Sequence, residues 1–251
     1  MEGYVHSIES FGAVDGPGMR YIIFLAGCPF RCAFCHNPDT WDMMKGKLMS
    51  SQELIDDALT CRDYWKESGG ITVSGGEPLN QIDFLLDLFT LAKKEKINTC
   101  IDTSGANFTK EGVWFEKFQK LMELTDLLLV DIKHIDEDEH VKLTGRSGKN
   151  VIEMFRYLDE IKKPIWIRHV LVPTISDKDE YLIRTRDFIR TLHNVDRVDV
   201  LPYHTLGVGK YKELGIPYRL EGLESPSAER VKNAKSILEV DKYDGWKKSL
   251  A

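Results

Sequence analysis

The 251 residues suffice for one large α/β domain or two small ones, and 42% hydrophobic with 29% charged residues excludes a disordered chain. No apolar run approaches the roughly 20 residues that span a bilayer, and a formal net charge of −6 with no dense basic stripe speaks against membrane or nucleic acid as the partner. Five cysteines, an odd number behind an N-terminus without a basic-then-apolar export signal, point to a reducing cytoplasm rather than a disulfide scaffold.

Taken in order, residues 4–11 alternate loosely and suit an edge strand or one arm of a hairpin. Val14-Asp15-Gly16-Pro17-Gly18-Met19-Arg20 is rich in turn formers and reverses the chain. Asp15 and Arg20 either belong to a plain turn or line the mouth of a site. Residues 21–25 form the first core strand. Ser50-Ser51-Gln52-Glu53 has the pattern of a capping box and opens a helix to about residue 65, ended by Ser68-Gly69-Gly70. A short buried strand over 71–74 runs into Gly75-Gly76-Glu77-Pro78. The helix over 81–94 then gathers Phe84, Leu85, Leu88, Leu91 and Ala92 on one face. Strand 99–103, helix 111–123 and strand 126–132 follow, the last apolar on both faces as a buried parallel strand should be. Helices over 137–143 and 150–161, a strand over 165–172, a helix over 177–192, a strand over 197–201 and a helix over 227–238 complete the series.

Six strands from Tyr21 onward, each followed by helix, imply right-handed crossovers and parallel pairing. A doubly wound sheet and an incomplete barrel both satisfy that pattern, and eight units would be needed to close a TIM barrel. The expectation is an α/β fold, an open partial TIM barrel of (β/α)6 form, in one domain over residues 1–251.

Parallel α/β folds collect function at the carboxyl ends of their strands. Here those ends read Cys28, Cys32 and Cys35, then Gly75-Gly76-Glu77, Asp102-Thr103, Asp131-Ile132-Lys133-His134, Arg168-His169 and Tyr203-His204. Each has a plainer reading: Gly75-Gly76 as a turn, Asp131 and Lys133 as a solvated pair, His204 as a satisfied turn histidine. Their shared location on one rim argues for a ligand. The strongest signal is C-x3-C-x2-C directly after the first strand, because thiolates are soft ligands for iron–sulfur clusters or zinc. A four-iron cubane held by three thiolates leaves one iron open to a small molecule. Cys32-x-x-Cys35-His36 also fits haem attachment, and Cys28, Cys32, Cys35 and His36 together supply a zinc ligand set. Cys61 and Cys100 stand alone, without an assigned role.

C-x3-C-x2-C after the first strand, with Gly-Gly-Glu after the second, resembles the radical S-adenosylmethionine superfamily. The resemblance implies a [4Fe–4S] cluster on Cys28, Cys32 and Cys35, its fourth iron chelated by the amino and carboxylate groups of S-adenosylmethionine. Phe34, Cys35 and His36 would flank the adenine and Gly76 the amino group. Asp131, Ile132, Lys133, His134, Ile135 and His204 would surround the rest of the nucleoside. A closer likeness is to the activases of glycyl-radical enzymes, the pyruvate formate-lyase branch in particular. It rests on Val14-Asp15-Gly16-Pro17-Gly18, Cys35-His36-Asn37, Asp39-Thr40-Trp41, Asp131-Ile132-Lys133, Trp166-Ile167-Arg168 and Leu201-Pro202-Tyr203-His204. Relatives in other branches often carry a cysteine-rich insert between the first cluster and Gly-Gly-Glu, where this chain has only Cys61. The likeness implies an oxidoreductase working without air. Reduced flavodoxin or a similar donor supplies an electron, S-adenosylmethionine is cleaved to a 5′-deoxyadenosyl radical, and a glycine Cα of pyruvate formate-lyase loses a hydrogen atom. Asp15 and Arg168 are the expected contacts of the glycine-bearing loop, and Asp102 with Thr103 an expected monovalent cation site. A radical enzyme acting on another glycyl-radical partner or on a small molecule, and a zinc-stabilised binding module, are the alternatives.

Overall fold

The computed structural model describes residues 1–250; Ala251, the last residue of the anticipated domain, lies outside them. One sheet organises the chain, built from β1 (Glu2–Gly12), β2 (Arg20–Leu25), β3 (Lys47–Ser50), β4 (Gly70–Gly75), β5 (Asn98–Thr103), β6 (Leu127–Asp131), β7 (Ile165–Leu171) and β8 (Val195–Pro202). Their order is β3-β1-β2-β4-β5-β6-β7-β8. From β2 to β8 every neighbouring pair is parallel, which gives the six expected core strands. β3 and β8 remain as edges, so the sheet curls without closing, as a partial barrel does.

Burial follows the sequence pattern. β6 is buried at all five positions, consistent with a central parallel strand covered on both faces. Helices α1 (Ser51–Leu59), α2 (Arg62–Trp65), α3 (Ile82–Lys94), α4 (Gly112–Glu123), α5 (Glu137–Thr144), α6 (Lys149–Glu160), α7 (Asp179–Ile189), α8 (Val208–Glu213) and α9 (Ala228–Ile237) join or follow the strands. α3 turns Phe84, Leu85, Leu88 and Ala92 inward as expected, with Ile82 and Phe89 added and Leu91 only half-buried. The capping box at Ser50 is formed: its hydroxyl accepts from Glu53 N–H at 3.2 Å and Glu53 accepts from Ser50 N–H at 2.8 Å. No helix among the described residues is long and apolar enough to cross a membrane.

Two local expectations need correction, and the two readings of the first strand resolve to one. Residues 2–12 are the hairpin arm, antiparallel to β2, and the edge beyond them belongs to β3, a four-residue strand too short for a periodic signal. The helix expected to about residue 65 breaks at Thr60 and Cys61 into α1 and the single turn α2. Arg20 does not line a mouth; it is fully buried. Its guanidinium donates to Thr72 Oγ1 at 2.9 Å, Asn98 Oδ1 at 2.8 Å and the Pro17 carbonyl at 3.4 Å, and burial lowers its pKa to about 10. Thr72 Oγ1 in turn donates to the Asp15 carbonyl at 2.6 Å, so Arg20 pins from beneath the turn that presents Asp15.

Candidate active site

The loop after β2 is fixed at both ends by main-chain bonds. Gly27 N–H donates to the Thr40 carbonyl at 2.7 Å, while Arg31 and Ala33 N–H donate to the Thr144 and Leu143 carbonyls at 2.7 and 2.8 Å. Cys28, Cys32 and Cys35 are all unpaired and all line one cavity of about 430 Å³ at the C-terminal ends of the strands. Burial pushes the Cys28 and Cys32 thiols up to about 12 and raises Cys35 as well. Bare thiolates are therefore unfavourable here, and bound cationic metal would reverse that preference. Among the described residues no group of three or more His, Cys, Asp or Glu side chains is disposed to hold a single metal ion. A tetrahedral zinc needs its donors about 2.0–2.3 Å from one point, whereas a cubane takes thiolates at separate corners. His36 is also engaged elsewhere, its Nε2 3.2 Å from the His204 carbonyl and its ring stacked on His204 at 4.0 Å between centroids. The donor set fits a cluster better than a zinc ion.

The loop after β4 is stitched to the cysteine loop: Gly76 N–H donates to the Leu25 carbonyl and Glu77 N–H to the Gly27 carbonyl, both at 2.8 Å. Gly75 has φ +117°, and a Cβ on Gly76 would lie 2.4 Å from the Gly27 carbonyl oxygen. Glycine is required at 76 by the neighbouring backbone as much as by any ligand. Glu77 faces away from the cavity and is fully buried. Its carboxylate accepts from Leu79 N–H at 3.0 Å, Thr103 Oγ1 at 2.6 Å, Ser104 N–H at 2.9 Å and the Ser104 hydroxyl, which ties the ends of β4 and β5 together.

The same cavity also carries charged side chains. Arg168 reaches Asp102, Asp131 at 3.2 Å and Asp15 at 3.9 Å, and Lys133 Nζ lies 2.5 Å from Asp131. Ser74 Oγ donates to Asp102 at 2.7 Å. Burial raises Asp15 to about 6, with Asp102 repelling it further. Burial raises Asp102 too, against the attraction of Arg168. For Asp131, burial is outweighed by Arg168 and Lys133, which hold its carboxyl below the usual range. These are not solvated surface pairs.

Of the expected site residues, Asp15, Cys28, Cys32, Phe34, Cys35, His36, Gly76, Asp102, Asp131, Lys133, Arg168 and His204 line this one cavity. Ile132, His134, Ile135 and Thr103 do not. Ile132 is buried in the core, and His134 turns outward to Tyr181, with Nε2 3.3 Å from the Ile175 carbonyl. Successive strand residues face opposite sides, so Thr103 gives its hydroxyl to Glu77 while Asp102 faces the cavity. The two side chains do not converge on one cation, and Thr103 could share one with Asp102 only through its main-chain carbonyl. Ser74, Ser104 and Asn37 also line the cavity without being among the expected site residues, although Ser74 directly precedes Gly75-Gly76 and Asn37 belongs to the quoted Cys35-His36-Asn37. His204 lines the cavity, and its Nδ1 is buried with no hydrogen-bond partner.

Comparison with known proteins agrees with this geometry. The family model of the radical SAM superfamily matches residues 22–186. The pyruvate formate-lyase-activating enzyme of Streptococcus mutans is 48% identical over 250 residues, covering 99% of this chain and 95% of that protein. That of Listeria monocytogenes is 52% identical over 242 residues, covering 96% and 98%. Among solved structures, a domain of the pyruvate formate-lyase-activating enzyme from Bacteroides vulgatus superposes with TM-score 0.56 at 24% identity, over 68% of this chain and 93% of that one. Streptococcus suis SuiB bound to its precursor peptide gives 0.64 at 20% identity, over 93% and 48%; both likenesses establish the fold alone. The sequence relatives establish more, for at this identity over nearly their whole length the chain belongs to the radical SAM superfamily and, within it, to the pyruvate formate-lyase-activating enzymes.

Proposed function

We propose that this chain, working as one domain in the cytoplasm, activates pyruvate formate-lyase by generating a radical on a glycine Cα of that partner. The observation that carries the reading is the convergence of three free thiols, an orphaned His204 nitrogen and the Asp15–Arg168 pair on one cavity. Cys28, Cys32 and Cys35 would hold a [4Fe–4S] cluster. Bound with S-adenosylmethionine, that cluster supplies one-electron reductive cleavage to methionine and a 5′-deoxyadenosyl radical, work for the low end of cluster potentials.

The chain's own residues bind, orient and exclude. The stacked His36–His204 pair offers a flat aromatic wall and an unsatisfied nitrogen for a nucleoside. Phe34, with Lys133 Nζ 5.5 Å from its ring centre, covers the same space from another side. Gly75-Gly76 keep the main chain at the cavity free of side chains, suited to a ligand's amino group. Asp131 and Lys133 present a bound pair to the ribose. Asp102, with the Thr103 carbonyl, is the place for a monovalent cation, so potassium should accelerate S-adenosylmethionine cleavage. Arg168 and Asp15, opposite charges held in the same cavity, receive the amides of a glycine-bearing loop. Glycine suits such a target because it has no side chain to block approach. The electron comes from reduced flavodoxin or a donor of similar potential.

The test is an anaerobic preparation given S-adenosylmethionine, dithionite and pyruvate formate-lyase. Formation of 5′-deoxyadenosine together with a glycyl electron-spin signal on the partner is expected. Cleavage with no partner radical would redirect the reading to a small-molecule substrate, and no cleavage by iron-replete protein would refute it.

A further inference from the structure

The loop that carries the thiols is overlaid on its outer side by guanidinium groups. Arg31 donates to the Cys28 and Phe30 carbonyls at 2.6 and 2.8 Å. Arg146, just beyond α5, donates Nε to the Pro29 carbonyl at 2.8 Å. Arg219 donates to the Arg31 carbonyl at 3.1 Å and to the Lys142 carbonyl at the end of α5. All three arginines are exposed. Their partners here are neutral carbonyls, and none is ion-paired with a carboxylate among the described residues. Lys142 on the same face is compensated by Glu139 at 2.7 Å, and the negative end of the α5 dipole offsets part of the charge of Arg219. The remainder is a cationic patch on a chain whose formal net charge is −6.

The patch and the cavity lie on opposite sides of one thin segment. None of the three arginines lines the cavity, whereas Cys28, Phe30 and Cys32 do. Cys28 thus meets Arg31 through its carbonyl outside and the cavity through its side chain inside. Trp41 makes a second short link: the Arg31 guanidinium sits 4.9 Å from its ring centre, and its side chain is hydrogen-bonded to Cys35. The first route reaches the Cys28 thiol directly, and the second reaches that of Cys35 through one residue, Trp41.

We propose that this face, ringed by Arg31, Arg146 and Arg219, is the docking site of an acidic flavoprotein electron carrier. The inference rests on the function proposed above and adds where the electron enters. The carrier's anionic flavin hydroquinone loses one electron and becomes the neutral semiquinone with no proton moved; the electron crosses the Cys28–Arg31 segment to the cluster. Entry from outside leaves the cavity mouth, with Asp15 and Arg168, to the glycine-bearing partner. It also keeps the donor and its water away from the radical. Charge complementarity selects an acidic carrier and sets its rate of encounter.

The experiment compares S-adenosylmethionine cleavage by the iron-replete full chain, driven by reduced flavodoxin or by dithionite, in wild type and in Arg146→Glu/Arg219→Glu. The flavodoxin-driven rate should fall by about tenfold or more through a raised KM for the carrier, with the dithionite-driven rate unchanged. In wild type, added salt should slow the first reaction and not the second, a readout that needs no variant to fold. An unmoved flavodoxin rate, equal losses with both reductants, or a salt-independent flavodoxin rate overturns the proposal. So does a variant that activates pyruvate formate-lyase poorly under dithionite, since the face would then serve the glycyl partner. Wild type that cleaves nothing with dithionite refutes the proposed function instead.

Discussion

Removing the Glu77 carboxylate would test whether the Gly-Gly-Glu segment ends in a structural anchor. Four donors converge on that carboxylate in a position with no solvent exposure. In Glu77→Ala the Thr103 and Ser104 hydroxyls can rotate to other acceptors, but Leu79 and Ser104 N–H cannot. Two stranded main-chain donors at about 1–3 kcal/mol each, with the void left behind, make the cost about 3–5 kcal/mol. That is a large share of a stability of about 5–15 kcal/mol. Glu77→Gln keeps the shape and one acceptor but turns an amide N–H toward a donor, for a cost of about 1–3 kcal/mol. Burial raises the Glu77 pKa, so its folded value lies above its unfolded one. Such an acid contributes stability that is present below the unfolded pKa and is lost as pH rises through the raised folded value. Wild type should therefore weaken across that rise and Glu77→Gln should not share the loss. Urea unfolding of anaerobic protein at several pH values measures all three. An alanine variant within about 1 kcal/mol of wild type, or a glutamine variant as costly as alanine, would refute the anchoring argument.

Asp15 offers a second pH test, because its pKa rises from 3.8 to about 6. That shift disfavours the ionised folded state by at most about 3 kcal/mol above pH 6. Asp15→Asn should therefore gain stability over wild type in full at about pH 7.5, by roughly half as much at about pH 5 and hardly at all below about pH 3.5, while activating pyruvate formate-lyase more slowly. Arg168→Ala leaves the Asp15, Asp102 and Asp131 carboxylates without their shared guanidinium; about 3–5 kcal/mol of stability and at least tenfold in partner activation should be lost. Wild-type activation rates in both variants would remove these residues from the site. Gly76→Ala pushes a Cβ against the Gly27 carbonyl and should displace the cysteine loop, seen as lower iron content and visible absorbance after reconstitution. Undiminished iron binding would show that the loop yields without harm.

The order of elements was written locally. Six apolar runs with capping and turn residues between them leave few alternatives to parallel strands and right-handed crossovers, and the cysteine spacing is a property of eight consecutive residues. Twelve of the sixteen expected site residues line the cavity because strand ends share a rim. What periodicity could not supply was the direction of a side chain past the last strand residue. His134 and Thr103 turn away, each claimed by partners from elsewhere in the chain. Arg20 sits in a turn by sequence yet is buried by Thr72 and Asn98, and Glu77 reads as a rim residue yet points into the protein. β3 is a strand only because β1 lies beside it. No basic stripe exists in the sequence; Arg31, Arg146 and Arg219 become a patch only when the cysteine loop docks on the end of α5. Local pattern fixes which backbone each segment adopts, whereas burial, charge pairing and field depend on distances between residues far apart in the chain, and folding alone sets those.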